Sequence, residues 1–304
     1  MSLDKNFNAA DKAIDRITNS TRKNIIKAYS ESLNSVRSKM AFIFEKYSTD
    51  GVLTYADMAK YNRLVNLEKE IRDELYGLTG ENAKAIRTLS GDVYQESYYR
   101  TAHALEFEAQ AKLSYGMINP KVIEASIQNP LSGLKLDDVL IKNRNNIITN
   151  VRQQITQGLI LGESYPKIAR RMKDTFEGDA AKALRVARTE SHRVQTEGRL
   201  ASMDHAQSKG VKMVKVWVAS LDAAVRDTHA ALDGQKVGMD ELFYIRGMSA
   251  KAPGLFGIAA EDINCRCTVR AEIEGYAPEL RRSREDGIIP YSDYKSWKDN
   301  RLGF

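Results

Sequence analysis

Asn264-Cys265-Arg266-Cys267-Thr268-Val269-Arg270-Ala271-Glu272-Ile273 alternates small or apolar residues with polar ones over ten positions. Successive side chains of a strand point to opposite faces, so Cys265, Cys267, Val269, Ala271 and Ile273 share one face and Arg266, Thr268, Arg270 and Glu272 the other. A period of two excludes a helix here. A second strand is expected where Val214, Val216 and Val218 alternate with Lys215 and Trp217, apolar on one face and mixed on the other. Between them Asp222 and Ala223 turn the chain, Val225 to Leu232 form two helical turns ended by Asp233 and Gly234, and Gln235 to Val237 is a short extended piece. A loop rich in Gly, Ala and Pro runs from Gly247 to Ala260.

Everything upstream has the helical period. Ile26, Tyr29, Leu33, Val36, Met40, Ile43 and Tyr47 alternate steps of three and four, a heptad seam. Ser48 to Gly51 break that helix. A second helix carries Met58, Tyr61, Leu64, Val65, Ile71 and Leu75 and is expected to end at Gly77 and Gly80; a third runs from about Asn82 to Tyr115. Three antiparallel helices are the simplest packing of these stripes. Asp50 and Asp57 lack the alternating oxygen ligands of a calcium loop.

Asn119, Pro120, Asn129 and Pro130 punctuate a connection with a short helix around Val122 to Ile127. Asp137 or Asp138 caps the next helix, whose stripe runs Leu140, Arg144, Ile147, Ile148, Val151, Ile155 and Leu159 and which stops at Gly162; Ser164 caps another, with Pro166 in its first turn. After Gly178 and Asp179 a long helix is expected with two faces. Leu184, Ala187, Ser191, Val194, Gly198 and Ala201 make a small-residue face, and Arg185, Arg188, His192, Gln195 and Arg199 a basic one.

The 304 residues are enough for two domains and a core without staples. No run approaches the roughly 20 apolar residues that span a bilayer, and the first residues lack the apolar stretch of a secretory signal, so the expected place of synthesis is the cytoplasm and no membrane partner is expected. Two cysteines one residue apart cannot staple distant parts of a fold. The net charge is +6, and its excess is local: residues 139–199 hold twelve Lys and Arg against six Asp and Glu, while the rest is balanced. Such a block suits nucleic acid phosphates or an acidic protein surface, with a solvated helix face as the plain alternative. Arg170, Arg171, Arg185, Arg188, His192 and Arg199 are the DNA-contact candidates, and without a base-reading motif their binding would ignore sequence.

The series Ala187-Arg188-Thr189-Glu190, Lys215-Val216-Trp217, Asp222, Arg226-Asp227-Thr228-His229-Ala230-Ala231-Leu232-Asp233-Gly234 and Asn264-Cys265-Arg266-Cys267 resembles the phage minor head protein family, with its Mu F-like head morphogenesis domain. The resemblance covers about residues 135–275. It implies a minor capsid protein that binds the portal protein during procapsid assembly, meets capsid or scaffold proteins, lies inside the virion, and touches double-stranded DNA non-specifically. The expected fold is α+β and predominantly α: a helical arm (1–115), a basic helical linker (116–180), a small α+β domain with a short antiparallel sheet (181–275), and a tail (276–304) with a short aromatic helix around Tyr291, Tyr294, Trp297 and Phe304.

Many members of that family carry more cysteines and a further histidine, which look like a zinc site. Here Glu261 and Asp262 stand where the histidine would be, leaving His229, Cys265 and Cys267, with Asp222, Asp233 or Asp262 as a fourth ligand. Asp233, one helical turn after His229, is the fourth candidate carried forward. Against this, two cysteines on the core face of a strand also serve as small apolar residues. No other cofactor is expected. No catalytic residues are assigned: Arg188, Glu190, His192 and His229 supply acid, base and cation, but Glu190 and His192 diverge on a helix. The alternatives are a nucleic-acid-modifying or toxin-like enzyme on the same domain, or a purely structural portal adaptor.

Overall fold

The computed structural model describes residues 3–129, 135–274, 280–283 and 287–290. Its helices are α1 (Leu3–Tyr47), α2 (Tyr55–Ala59), α3 (Arg63–Ala109), α4 (Pro120–Gln128), α5 (Leu136–Ile160), α6 (Tyr165–Ser208), α7 (Asp227–Ala231) and α8 (Ala259–Asp262). Its strands are β1 (Met213–Val218), β2 (Lys236–Gly238), β3 (Phe243–Ile245), β4 (Met248–Ala250), β5 (Thr268–Ile273), β6 (Leu280–Ser283) and β7 (Gly287–Pro290). The fold is α+β and mainly α, as expected. The chain forms two compact units that do not follow the expected sequence blocks: residues 1–19, 88–135 and 188–304 make one, and residues 20–87 and 136–187 the other.

In the all-helical unit, glycines do not end helices where expected. α3 runs through Gly77 and Gly80, so the expected second helix from Leu64 onward is one with the third, while Met58 lies in α2 and a 3-10 turn with Tyr61 at positive φ separates α2 from α3, which stops at Ala109 rather than Tyr115. A helical glycine costs only about 1 kcal/mol relative to alanine. Burial of Leu75, Leu78 and Ile86 on one side outweighs that. α6 likewise passes through Gly178 and Asp179. Asp179 does not cap a new helix; it is buried and accepts the Tyr29 hydroxyl at 2.8 Å. The α1 seam is rotated by one residue at its start, with Ile25 buried and Ile26 half exposed. Asp57 forms a capping box with Thr54 at the start of α2.

The other unit carries the antiparallel sheet β2-β1-β5. β1 is central, so Lys215, Val216, Trp217 and Val218 are all buried, not one face of them. Trp217 pairs with Val269 and Lys215 with Ala271 across β5. The core beneath includes Leu200, Trp217, Leu232, Phe243, Phe256, Cys265, Cys267 and Val269. The first turns of α1 belong to this unit: Leu3 and Phe7 pack with Leu105, Met203 and Ala271, and Arg270 of β5 binds Asp4 at 3.1 Å and Asn8 at 2.6 Å.

The loop expected from Gly247 starts inside a hairpin, β3–β4, whose two-residue turn places Arg246 and Gly247 at positive φ, the backbone shape such tight turns require. β6 pairs with β7 in a second hairpin within the expected tail. The aromatic tail helix lies outside the described residues.

Candidate functional site

α7 places His229, and the turn after α8 places both cysteines. Asn264 has positive φ (58°), which swings the chain from α8 so that Cys265 and Cys267 face His229 before β5 begins. His229 Nδ1 stands 3.6 Å from Cys265 Sγ and 3.4 Å from Cys267 Sγ, and all three residues are buried. Two arginines tie the loops together. Arg226 donates to the carbonyl of Ile263 at 2.6 Å, and Arg266 to Asp222 at 2.8 Å. The imidazole stacks on Phe256 and meets the edge of Trp217.

The thiols share one environment unequally. The hydrogen bond with Cys267, reinforced by burial, holds the Cys265 thiol well above the usual thiol range. Burial also opposes ionisation of Cys267, but the hydrogen bonds from Cys265 and His229 prevail and hold it well below that range. Two sulfurs facing one imidazole nitrogen are a metal-ligating arrangement. Tetrahedral zinc with bonds of about 2.3 Å to sulfur and about 2.0 Å to nitrogen separates those atoms by about 3.5 Å. The observed spacing fits.

The fourth expected ligand does not join them. Asp233 is turned to β1, where its Oδ1 accepts the Ala219 amide at 2.7 Å. Asp222 binds Ser220, the Ala224 amide and Arg266. Asp262 accepts the amides of Phe256 and Ile258, and burial raises its pKa against those bonds. Among the described residues only His229, Cys265 and Cys267 form a three-donor cluster. The carboxylate beside it is Glu261, 3.0 Å from His229 Nε2 but off the N–H direction, a close contact rather than an aligned hydrogen bond. Outer carboxylates of this kind fix the imidazole of a metal site. Sequence reading assigns Glu261 no role: it notes only that Glu261 stands, with Asp262, where the family's histidine would be, and draws the fourth ligand from Asp222, Asp233 or Asp262.

The DNA-contact candidates are dispersed by the fold. Arg170 and Arg185 are exposed. Arg171 is half-buried, donating to the Gln154 carbonyl and paired with Glu163. Arg188 reaches Asn264 at 3.4 Å. Arg199 is buried, bound to Asp11 at 2.6 Å and to the Val269 carbonyl at 3.1 Å. His192 Nε2 lies 2.6 Å from the Cys267 carbonyl, and burial lowers its pKa, keeping the ring neutral. The expected basic face of α6 is therefore largely an internal face: its cations hold β5 and α1, and His192 and Arg199 are not presented to phosphates.

Of the residues from which catalysis was considered, His192 and His229 both lie beside Cys267, and Glu190 is engaged elsewhere. Glu190 is buried against Arg193 at 2.9 Å, with Arg193 also binding Glu197 and the Ser126 carbonyl. A cleft of about 520 Å³ is lined by Arg193, Glu197, Asp204, Lys251 and Asp262. Arg188, Glu190, His192 and His229 do not line it.

Residues 149–270 match the family model described as phage Mu protein F like protein. The chain is 36% identical over 302 residues to the minor head protein GP7 of Bacillus phage SPP1, covering 98% of each. It is 32% identical over 283 residues to the NAD(+)–arginine ADP-ribosyltransferase EFV of Enterococcus faecalis, covering 93% of this chain and 58% of that protein. A stretch of 130 residues is 29% identical to an uncharacterized protein of Haemophilus influenzae. No solved structure matches.

Proposed function

The chain belongs to the phage minor head proteins with a Mu protein F like domain, and from that premise we propose that it binds the portal protein during procapsid assembly and contacts DNA non-specifically inside the head. The end-to-end similarity to a minor head protein carries this reading, because it spans the helical residues as well as the sheet-bearing unit. Assembly takes place in the host cytoplasm, and the finished protein is a virion component with capsid or scaffold proteins as further neighbours. Co-expression with the portal protein of the same phage tests the proposal. The two should co-purify in a complex that survives gel filtration. Portal oligomers that form and elute without the chain would overturn it.

His229, Cys265 and Cys267 hold a structural zinc that joins α7 to the start of β5 in this proposal. The fit of their spacing to zinc supports it. The metal would supply cross-linking, as structural sites do in small units.

The transferase-named relative is the one observation that favours an enzyme, and the similarity stops at 58% of that protein. We assign the chain no transfer step. Incubation with NAD and arginine-bearing protein should give no ADP-ribosylation, and a product lost on His229→Ala would reverse that assignment.

A further inference from the structure

The first half of α1 sorts its charges by face. Its carboxylates Asp4 and Asp11 turn inward, onto Arg270 and Arg199. Lys5, Lys12 and Arg16 turn outward and are exposed, spaced by seven and four residues. At 100° per residue the three lie within about 40° of one another around the helix, along about 16 Å of it. None of the three has an ion pair among the described residues. Asp15, at the edge of the sector, is a nearby exposed carboxylate.

We propose that this cationic face of α1 is the surface that meets the phosphates of double-stranded DNA. The proposal rests on the DNA contact put forward above and names the surface for it. Charge selects the partner class. A helix that lies on a membrane needs its apolar side free, and here Leu3, Phe7, Ala10, Ile14 and Ile25 are buried within the protein. Protein partners are gripped by aromatic and arginine anchors in pockets, and the sector carries no aromatic residue. Regularly spaced cations among Ala9 and Asn19 suit a run of phosphates about half a DNA turn long, without base reading.

The test is the affinity of the full chain for mixed-sequence linear duplex DNA as a function of salt. Three phosphate contacts contribute about −2.7 to the slope of log affinity against log salt, at about 0.9 per contact, and the triple variant Lys5→Gln, Lys12→Gln, Arg16→Gln should flatten the slope by that amount. Arg170→Gln with Arg185→Gln should leave it unchanged. Because the substituted residues are exposed, unfolding midpoints should stay put, and Lys12→Arg with Arg16→Lys should retain the wild-type slope. Wild-type binding that survives the triple variant with its slope intact would overturn the assignment of this surface alone. Absence of salt-sensitive binding by the wild type would overturn the DNA contact itself.

Discussion

His229 Nδ1 faces Cys267 Sγ across 3.4 Å, on the side of the imidazole away from Glu261. One ring therefore links a sulfur pair to an outer carboxylate, and Asp233, a turn further along the chain, has no part in it.

Protein purified without chelators should contain about one equivalent of zinc by elemental analysis. Cys267→Ser should lose most of it. Asp233→Asn should keep it, yet weaken folding by about 1–3 kcal/mol, because the Ala219 amide loses a charged acceptor. Zinc lost with Asp233 and kept without Cys267 would show that the donor set is wrong.

The sheet and this cluster were legible because their signals are local. The alternation at Cys267, Val269 and Ala271 marks one buried face, and those residues do lie inside. The role of Arg199 was not legible. A cation at helical spacing looks the same whether phosphates or Asp11 lie opposite, and Asp11 is 188 residues away in sequence. The helix breaks at Gly77, Gly80 and Gly178 failed for a related reason: a glycine's local cost is small beside the burial of its neighbours, which only the packed helices reveal. The β3–β4 hairpin was hidden because a loop of small residues and a short strand pair share the same composition.

Arg199→Ala should destabilise the chain by about 1.5–3 kcal/mol in urea unfolding, since Asp11 loses its nearest cation, keeping only Gln195 and the more distant Arg270, and the Val269 carbonyl loses this donor. Arg185→Gln, at an exposed position of the same helix, should change stability by no more than about 0.5 kcal/mol. Equal effects would mean that Arg199 is not held in the interior.

Glycines on the two long helices should respond in opposite directions. A Cβ at Gly198 would sit 2.5 Å from the Tyr94 carbonyl oxygen, a backbone atom that cannot step aside. Gly198→Ala should cost about 1–3 kcal/mol. Nothing lies within 4 Å of a Cβ at Gly77 or Gly80. Alanine at either should raise stability by about 0.5–1 kcal/mol if α3 is continuous there, and lower it if the chain breaks. Thermal unfolding of the three single variants decides between these outcomes.

Lys215 gives the fold an alkaline dependence of its own. Its side chain is fully buried, with Nζ donating to the carbonyls of Glu241 at 2.7 Å and Lys251 at 3.1 Å, under a thin cover because both of those residues are exposed. Burial is the main cause that brings its pKa down to about 8, with the Lys251 charge adding to it. In the unfolded chain the same amine titrates near 10.4. Between about pH 8 and 10.4 the unfolded state therefore binds more protons, and this residue's contribution to stability rises with pH, by at most about 1.4 kcal/mol per unit. Below about pH 8 both states are charged and the cost of burying the ammonium is constant. A neutral amine keeps two N–H groups for the two carbonyls, so deprotonation need not break either bond. Urea midpoints at pH 7, 8, 9 and 10 for the wild type and Lys215→Met should diverge as the pH rises, the wild type gaining on the variant, while titrations common to both chains cancel. Parallel curves from pH 8 to 10 would mean that Lys215 stays protonated in the fold.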